Sequence, residues 1–266
     1  MTSSSPRVLA LTVGLGVGGA ERLLLLSAPR LRALGFDVRI GALKSGGALS
    51  DAFERAGVPV VDFAARHRRD LGSLLRLARY LKAERIDLLH AHLFYANVAA
   101  RLAGRLAGVP VVLTAHHDTD LWMGPHHRLV ERVTAKLSDR VVTCSEAVRR
   151  FAIERLGLSA DRVMTLANAI DVDAIPAGAE ARARARSLLG AGPDDRLVGT
   201  LGRLHEPKKG LRPFLSAAAR LAAAEPRARF VLIGDGPARR DLERFAASLG
   251  LMEKVHFAGE RADAEI

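Results

Sequence analysis

The sequence predicts an α/β protein with two parallel-sheet domains, the first complete and the second only half of a doubly wound sheet. Short apolar segments alternate with helical patterns along most of the 266 residues. This alternation pauses once, over residues 168–195. On each side of the pause, a glycine-containing turn directly follows an apolar strand, where open α/β sheets bind ligands. We therefore expect two α/β domains that face each other across a cleft.

The first predicted domain covers residues 1–167. Its strand-length apolar segments are separated by stretches with leucine or alanine at helical spacing, a pattern typical of βαβ crossovers in a mainly parallel sheet. The predicted strands are Arg7–Val13, Asp37–Leu43, Val58–Phe63, Leu88–Ala91, Pro110–Thr114, Arg140–Thr143 and Arg162–Leu166, and the predicted helices are Arg22–Leu34, Leu71–Ala83, Val98–Ala107 and Ala147–Leu156.

Residues 168–195 lack a strand period and contain Pro176 and Gly178, so we interpret them as a hinge or linker with one helix near its end. Residues 196–266 resume the alternation as a βαβαβ unit, a partial second domain that leaves a strand edge exposed. Its predicted segments are strand Leu197–Gly202, helix Leu211–Ala224, strand Arg229–Gly234, helix Pro237–Leu249, with Pro237 in the first helical position, and strand Lys254–Phe257.

The composition suits a chain with a sizeable core, because 49% of its residues are hydrophobic and 26% are charged. With a single cysteine, Cys144, no disulfide forms within the chain, which fits a reducing compartment. The net charge of +11 favours anionic partners, but only 5% of residues are aromatic, which argues against nucleic-acid stacking surfaces. No apolar run reaches the roughly 18 residues of a membrane span. We expect a cytoplasmic protein without a nucleic-acid partner, with peripheral contact with the inner membrane face left open.

The first glycine run follows strand Arg7–Val13. Gly14, Gly16 and Gly19 satisfy the dinucleotide pattern G-x-G-x-x-G, but Lys44 stands where that site expects an acidic residue after the next strand. Glu21, in the first turn of the helix, would repel a pyrophosphate there. We interpret the run as a loop in which glycine lets backbone amides approach a ligand closely, and a plain strand-to-helix turn is the alternative.

The second turn places Arg203 and Lys209 on either side of a short loop, with Lys208 adding charge and Gly210 preceding a helix. Arginine grips a phosphate through two parallel hydrogen bonds, and lysine adds a point charge. These residues, with the N-terminal amides of the helix, are predicted to bind a diphosphate and to stabilise it as a leaving group. A solvated basic loop is the alternative.

Two further groups of residues follow predicted strands. Gly234 and Gly236 would let a base or ribose lie against the backbone, and a plain strand-to-helix turn is the alternative. Histidines end two strands, at His90 with His92 and at the run 116–118. If these strands are neighbours, the histidines line the same cleft as the glycine run. A metal site formed by His116, His117, Asp118 and Asp120 is conceivable, but the spacing matches no standard ligand set, so we expect no metal.

The segment His67–Arg85 reads as a basic amphipathic helix with Arg76, Arg79 and Lys82 on its polar side. Such a helix can lie on anionic lipid, although the outer face of a βα crossover is the commoner explanation.

Together these motifs resemble glycosyltransferase family 4, whose members are retaining nucleotide-sugar transferases of the GT-B fold. The resemblance covers nearly the whole chain, with one departure: Ala169 replaces the usual glycine of the family's hinge motif. The matching segments are Gly18–Arg22, His90–His92 with Asn97, Arg101 and Gly108–Pro110, Thr114–His116, Asn168–Asp171, Gly202–Arg203 with Lys209–Gly210, and Gly234–Pro237.

The resemblance implies roles for particular residues. Arg203 and Lys209 would bind the donor diphosphate, and His116 would contact the transferred sugar as a catalytic residue. The remaining implied positions are Gly18, Gly19, Glu21 and His92 in the cleft and acceptor loop, and Gly234 and Gly236 at the nucleotide.

The resemblance also implies a metal-independent reaction without a cofactor, in which a hexose-type sugar moves with retention from a nucleotide diphosphate to a glycan or lipid-linked acceptor of the cell envelope. The family's remaining hallmark, two glutamates eight positions apart, would lie beyond Ile266. We therefore expect this chain to be an incomplete form with little or no activity of its own.

Two alternatives remain open. One is a non-catalytic protein whose basic surface docks on anionic lipid or on a partner. The other is an NAD(P)-dependent reductase that uses the loop 14–19, against which the missing acidic residue counts.

Overall fold

The computed structural model describes residues 5–67, 70–206 and 209–261, and the chain divides into two compact units, Met1–Ile170 and Asp171–Ile266. Unit 1 contains a seven-stranded parallel sheet, and unit 2 contains a three-stranded parallel sheet. The predicted fold class, α/β with a larger and a smaller parallel sheet, is confirmed.

Unit 1 has the strand order β3-β2-β1-β4-β5-β6-β7. The predicted strands are all present, with ends shifted by a few residues. Helices α2 and α5 are not predicted by the sequence patterns. The elements are β1 (Arg7–Thr12), α1 (Gly19–Ala33), β2 (Asp37–Ala42), α2 (Ser50–Arg55), β3 (Val60–Asp62), α3 (Leu71–Ala83), β4 (Leu88–His92), α4 (Phe94–Ala107), β5 (Val111–His116), α5 (Pro125–Ala135), β6 (Arg140–Thr143), α6 (Glu146–Glu154) and β7 (Val163–Thr165).

The core of unit 1 lies on both faces of its sheet. Side chains alternate along a strand, so Leu9 and Leu11 of β1 enter the core cluster that includes Leu77 of α3, while Val8 and Ala10 enter the opposite cluster beneath α1. Strands covered by helices on both faces are apolar along their whole length. This explains why their sequence shows continuous apolar runs.

Unit 2 continues with α7 (Ala179–Leu188), β8 (Arg196–Leu201), α8 (Leu211–Ala224), β9 (Ala228–Ile233), α9 (Arg239–Ser248) and β10 (Val255–Gly259). The strand order is β10-β9-β8, and β8 pairs with β9 on one side only among the described residues. Phe230 of β9 is buried, whereas Leu201 of β8 is 61% exposed.

Pro237 does not take the predicted first helical position. A turn in which Arg239 N donates to Gly236 O precedes helix α9, and the helix begins at Arg239.

The turn from β4 into α4 is held in an unusual backbone conformation. Leu93 has a φ of +75° and a ψ of 150°, a region that side chains disfavour. Its amide donates to the carbonyl of Ala115 at 3.3 Å, and Asn97 Nδ2 donates to the same carbonyl at 3.0 Å. Two donors from this turn thus attach the start of α4 to the end of β5.

No helix of the described ranges combines the length and the apolar character needed to cross a lipid bilayer.

We expect the substitution Asn97→Ala to lower the free energy of unfolding by about 1–3 kcal/mol, because it removes a buried hydrogen bond and leaves a small cavity. Urea unfolding followed by circular dichroism measures this loss. Asn168→Ala, at an exposed position, is the matched control and should leave stability unchanged. Equal stabilities for the two variants would contradict the structural role of Asn97.

Candidate active site

The carboxyl edge of the first sheet brings together the turns that follow its central strands. The chain builds β1, β2 and β3 to one side and then returns to β4, so the strand order reverses between β1 and β4. Ligands of open α/β sheets bind beside such a switch point. The register pairs Ala10 with His90 and His92 with Ala115, so the glycine loop and the histidine-bearing strand ends share this edge.

Two glycines of the loop of residues 14–19, Gly16 and Gly19, lack the constraints that usually explain glycine. None of the glycines of this loop has a positive φ. A Cβ placed on Gly16 or on Gly19 would meet no atom within 4 Å. Gly18 is the N-cap of α1, with an extended backbone and no side-chain cap. The loop therefore leaves open space next to the start of a helix, which the fold itself does not fill.

Glu21 folds back over the start of α1. Thr12 Oγ1 donates to Glu21 Oε1 at 3.4 Å, and the carboxylate occupies the space that a Cβ on Gly18 would need. Burial raises the pKa of Glu21, and hydrogen bonds from its own amide and from Thr12 offset only part of that rise. Lys44 stands where a dinucleotide site would have an acidic residue. It lies beside the loop, and its Cβ is 3.9 Å from the position that a Cβ on Gly14 would take.

A buried polar network connects β5 with α4 and α5. Arg101 is fully buried, and its Nη2 donates to Glu131 Oε1 at 2.7 Å and to Thr114 Oγ1 at 2.9 Å. Its Nε donates to Ser138 Oγ at 2.8 Å, and its Nη1 donates to Thr134 Oγ1 at 3.1 Å. Sequence reasoning did not single out Glu131, because nothing in a helical pattern marks a glutamate as the partner of an arginine on another helix.

His116 joins this network at the end of β5. Its Nε2 lies 3.0 Å from Glu131 Oε1, and its Nδ1 lies 3.5 Å from Asp120 Oδ2. Burial alone would lower the pKa of His116, but the bonds to Asp120 and Glu131 outweigh it and raise the pKa to about 9. The side chain is only 2% exposed. Contact between His116 and a transferred sugar stays a prediction, and in this conformation both ring nitrogens face carboxylates.

The pKa of Glu131 moves in the opposite direction. Burial alone would raise it, but the hydrogen bond and charge of His116, with the charge of Arg101, lower it to about 2. His116 and Arg101 are therefore two cations that share one buried carboxylate at neutral pH. Glu131 Oε2 has no hydrogen-bond partner, so the pairing is confined to a single oxygen.

Three other histidines form a stack at the same edge. His92 Nδ1 lies 2.9 Å from His117 Nε2, and the rings of His90 and His92 are 4.2 Å apart. Burial, followed by the charges of neighbouring imidazoles, lowers the pKa of all three, and the resulting value for His90 is about 4. The stack is therefore neutral at pH 7. His90 Nε2, His92 Nε2 and His117 Nδ1 are buried without a hydrogen-bond partner, which leaves polar atoms for a ligand.

The loop between β5 and α5 carries Asp120 and Trp122. Asp120 Oδ1 accepts a hydrogen bond from Trp122 Nε1 at 2.9 Å, while its other oxygen faces His116. The indole also packs edge-on against Phe94 and parallel to Tyr95, with centroid distances of 5.7 and 6.2 Å. Asp120 thus connects a buried imidazolium to a half-exposed aromatic ring.

The turn after β8 places Arg203 and Lys209 at the carboxyl end of the first strand of unit 2. Both side chains are exposed, and neither forms an ion pair with any residue of the described ranges. Gly202 has a φ of +152°, and a Cβ there would lie 3.9 Å from Lys209 Cε. Lys208, the third predicted cation, lies outside the described residues.

The start of α8 departs from the prediction that its amides are available to a phosphate. Glu206 Oε1 accepts hydrogen bonds from the amides of Leu211 and Arg212. A carboxylate therefore caps this helix N-terminus, where it also satisfies the helix dipole. The cationic side chains, rather than these two amides, are what the turn offers to an anion.

Gly234 and Gly236 are explained by the fold. Gly234 has a φ of +133°, and a Cβ on it would overlap the carbonyl of Gly202. A Cβ on Gly236 would overlap the carbonyl of Leu204. Both glycines thus allow two adjacent turns to touch backbone to backbone, and their contact with a nucleotide stays a prediction.

In the described ranges, no three His, Cys, Asp or Glu side chains are arranged to hold a metal ion.

The buried network predicts a histidine that titrates far above the ordinary range. A pKa raised by folding contributes stability that is complete below the unfolded value near 6.5 and is lost as pH rises through about 9. We expect NMR titration to find one imidazole with a midpoint near 9. Asp120→Asn should lower that midpoint, while Asp51→Asn on α2 should not. A His116 midpoint near 6.5 in the unmodified protein would refute the arrangement.

Comparisons with known proteins agree with this architecture. The family model described as Glycosyltransferase Family 4 matches residues 17–174, and the model described as Glycosyl transferases group 1 matches residues 195–266. The chain is 34% identical over 206 residues to alpha-D-kanosaminyltransferase of Streptomyces kanamyceticus, covering 71% of this chain and 53% of that protein. It therefore spans about half the length of that relative.

Two further similarities extend over nearly the whole chain. It is 24% identical over 259 residues to the UDP-Gal:alpha-D-GlcNAc-diphosphoundecaprenol alpha-1,3-galactosyltransferase of Escherichia coli, covering 93% of this chain and 67% of that enzyme. The crystal structure of Anabaena Alr3699/HepE in complex with UDP-glucose matches with a TM-score of 0.82 and 24% identity, over 97% of this chain and 70% of that one. The fold is thus shared with a protein that binds a sugar nucleotide, and the family-model match covers more than half of the sequence. The chain belongs to glycosyltransferase family 4.

Proposed function

We propose that the protein transfers a hexose-type sugar from a nucleotide diphosphate to a glycan or lipid-linked acceptor, with retention of configuration and without a metal ion. The observation that carries this proposal is the exposed pair Arg203 and Lys209, free of carboxylate partners among the described residues, at the carboxyl end of β8 in a family 4 chain. Unpaired cations at that position suit two phosphates that gain charge as the sugar leaves.

The two parts of the chain take different roles in this proposal. Residues 1–167 form the acceptor-side domain, with the open glycine loop at its surface and the neutral, largely buried histidine stack of His90, His92 and His117 at the same sheet edge. Residues 196–266 form part of the donor-side domain, and residues 168–195 link them. The Escherichia coli relative is named for a UDP-linked donor and a diphosphoundecaprenol acceptor, which supports envelope glycan synthesis by a cytoplasmic protein at the inner membrane face.

Retention would require the leaving phosphate and the incoming hydroxyl to share one face of the sugar. In the proposal, Arg203 and Lys209 neutralise the departing diphosphate. The imidazolium of His116 adds positive charge close to the acceptor-side edge, and the neutral histidines supply donors and acceptors for sugar hydroxyls. Charge stabilisation therefore comes from fixed side chains.

We expect Arg203→Ala with Lys209→Ala to weaken UDP-glucose binding by at least about 100-fold, because each of two charge-assisted hydrogen bonds contributes about 1.5–3 kcal/mol. Isothermal titration calorimetry measures the change. Arg220→Ala with Arg240→Ala removes the same charge from exposed positions of the same unit and serves as the matched control. Unchanged affinity in the first variant, or an equal loss in the control, would rule out this diphosphate site.

Gly16→Ala and Gly19→Ala test the glycine loop. Each added methyl group enters open space, so we expect the free energy of unfolding to change by less than about 0.5 kcal/mol. If the loop lines the ligand, the same methyl group should reduce UDP-glucose affinity at least about fivefold. Unaltered binding, together with unaltered stability, would show that the loop is a plain turn.

A further inference from the structure

Helix α5 exposes an apolar and basic face. Leu129, Arg132, Val133 and Lys136 follow the i, i+3, i+4, i+7 spacing of one helix face, and all four are exposed. The opposite side of the helix is buried and carries Glu131. Leu129 is 60% exposed and Val133 is 56% exposed, so two large apolar side chains one helical turn apart both face outward.

The loop before α5 extends this surface. Leu121 is 75% exposed and Trp122 is 49% exposed. The indole of Trp122 is fixed by its hydrogen bond to Asp120 and by the ring of His127 at 5.0 Å, so its exposure is part of a defined conformation. The α5 face is defined here by its members: Leu121, Trp122, Leu129, Val130, Arg132, Val133 and Lys136.

A cationic cavity of about 350 Å³ adjoins the end of the α5 face. Arg132, Lys136 and Arg162 line it together with Gly157 and Ser159. None of the three cations has a carboxylate within ion-pair distance among the residues that the structure describes. The cavity therefore presents three cations without an ion-pair partner in the described ranges, next to an apolar surface.

Neutral groups hold two of these cations in place. Arg132 Nε donates to the carbonyl of Leu156 at 3.0 Å, and Arg162 Nη1 donates to the carbonyl of Lys136 at 3.2 Å. The nearby acid, Asp161, accepts a hydrogen bond from the Ser159 hydroxyl; that bond, followed by the charges of Arg162 and Arg140, lowers its pKa. Backbone carbonyls orient the guanidinium groups without neutralising them, which leaves their charge for an anionic group.

We propose that the α5 face docks on an anionic phospholipid bilayer, with a headgroup phosphate in the cavity of Arg132, Lys136 and Arg162. The apolar side chains then enter the boundary between headgroups and acyl chains, where tryptophan is favoured, and the cations attract the negative surface. This inference refines the proposed membrane location. Its test contains no sugar nucleotide, so its failure is distinct from failure of the proposed transfer reaction.

The basic helix predicted from the sequence is the competing surface. Helix α3 begins at Leu71 after the capping residue Asp70, and Arg68 and Arg69 lie outside the described residues. Leu71 and Leu75 are exposed, but the Arg76 guanidinium donates to the backbone carbonyls of Phe63 and Ala64. The α3 face therefore offers fewer large apolar groups and no tryptophan, and the geometry favours α5.

The test compares two double variants with matched chemistry. We expect the protein to co-sediment with vesicles of phosphatidylcholine and phosphatidylglycerol but weakly with phosphatidylcholine alone. Leu129→Glu with Val133→Glu should reduce the partition coefficient about tenfold or more, because apolar groups become charges facing an anionic surface. Leu71→Glu with Leu75→Glu on α3 should change it less than about twofold. A larger loss of vesicle binding in the α3 variant than in the α5 variant, or no vesicle binding by the unmodified protein, would overturn the proposal.

Trp122 gives a second readout, because it is the only tryptophan of the chain. Its emission should shift to shorter wavelength with anionic vesicles and should be quenched by brominated lipids. Lys136→Gln, which removes a charge but none of the hydrogen bonds described above, should weaken binding to anionic vesicles several-fold without altering the thermal unfolding midpoint. An unshifted emission on bound vesicles would show that another face docks.

Two further outcomes would also count against the lipid assignment. If glycerol phosphate in solution raises the thermal unfolding midpoint of the protein as much as anionic vesicles do, the cavity binds a free phosphate. If light scattering finds a dimer that Leu129→Glu with Val133→Glu dissociates, a second copy of the chain covers the face.

Discussion

The arrangement of unit 1 depends on one buried ion pair. Arg101 of α4 and Glu131 of α5 are both inaccessible to solvent, and their contact also involves β5 through Thr114 and His116. Two charges in the interior persist only when their hydrogen bonds are nearly complete, and removing one partner of such a pair costs about 3–5 kcal/mol. Because the pair connects two helices to the strand between them, it fixes α5 and, with it, the loop that carries Asp120 and Trp122.

This ion pair also sets the charges along the carboxyl edge of the sheet. Asp120 and Glu131 together keep His116 protonated, and the positive charge of His116 adds to burial in lowering the pKa of His117. One imidazolium is thereby held inside the protein, while the stacked imidazoles beside it stay neutral. The edge therefore offers both a fixed positive charge and uncharged hydrogen-bonding groups, a combination that suits a neutral sugar attached to an anionic leaving group.

The fold could be predicted from the sequence to the extent that it depends on local pattern. Buried parallel strands carry continuous apolar runs, and the turns after β1 and β8 carry glycine and charge, so both sheets and both candidate turns were recognisable. The buried network was not, since Arg101 and Glu131 lie 30 positions apart on separate helices. Local capping also escaped prediction, because whether Glu206 reaches back to the amides of α8 depends on the path of the turn.

Helix α5 could not be predicted from the hydrophobic pattern, because its buried side carries a charged residue and its exposed side carries large apolar ones. Its buried side carries Glu131, and its exposed side carries Leu129 and Val133. Rotating the helix by about 180° would bury leucine and valine, each worth about 1.5–3 kcal/mol, but would leave Arg101 without its counter-ion at a cost of about 3–5 kcal/mol. These magnitudes are comparable, so the hydrophobic effect alone does not choose the register. With the ion pair of Arg101 and Glu131 in place, the apolar side with Leu129 and Val133 is turned outward.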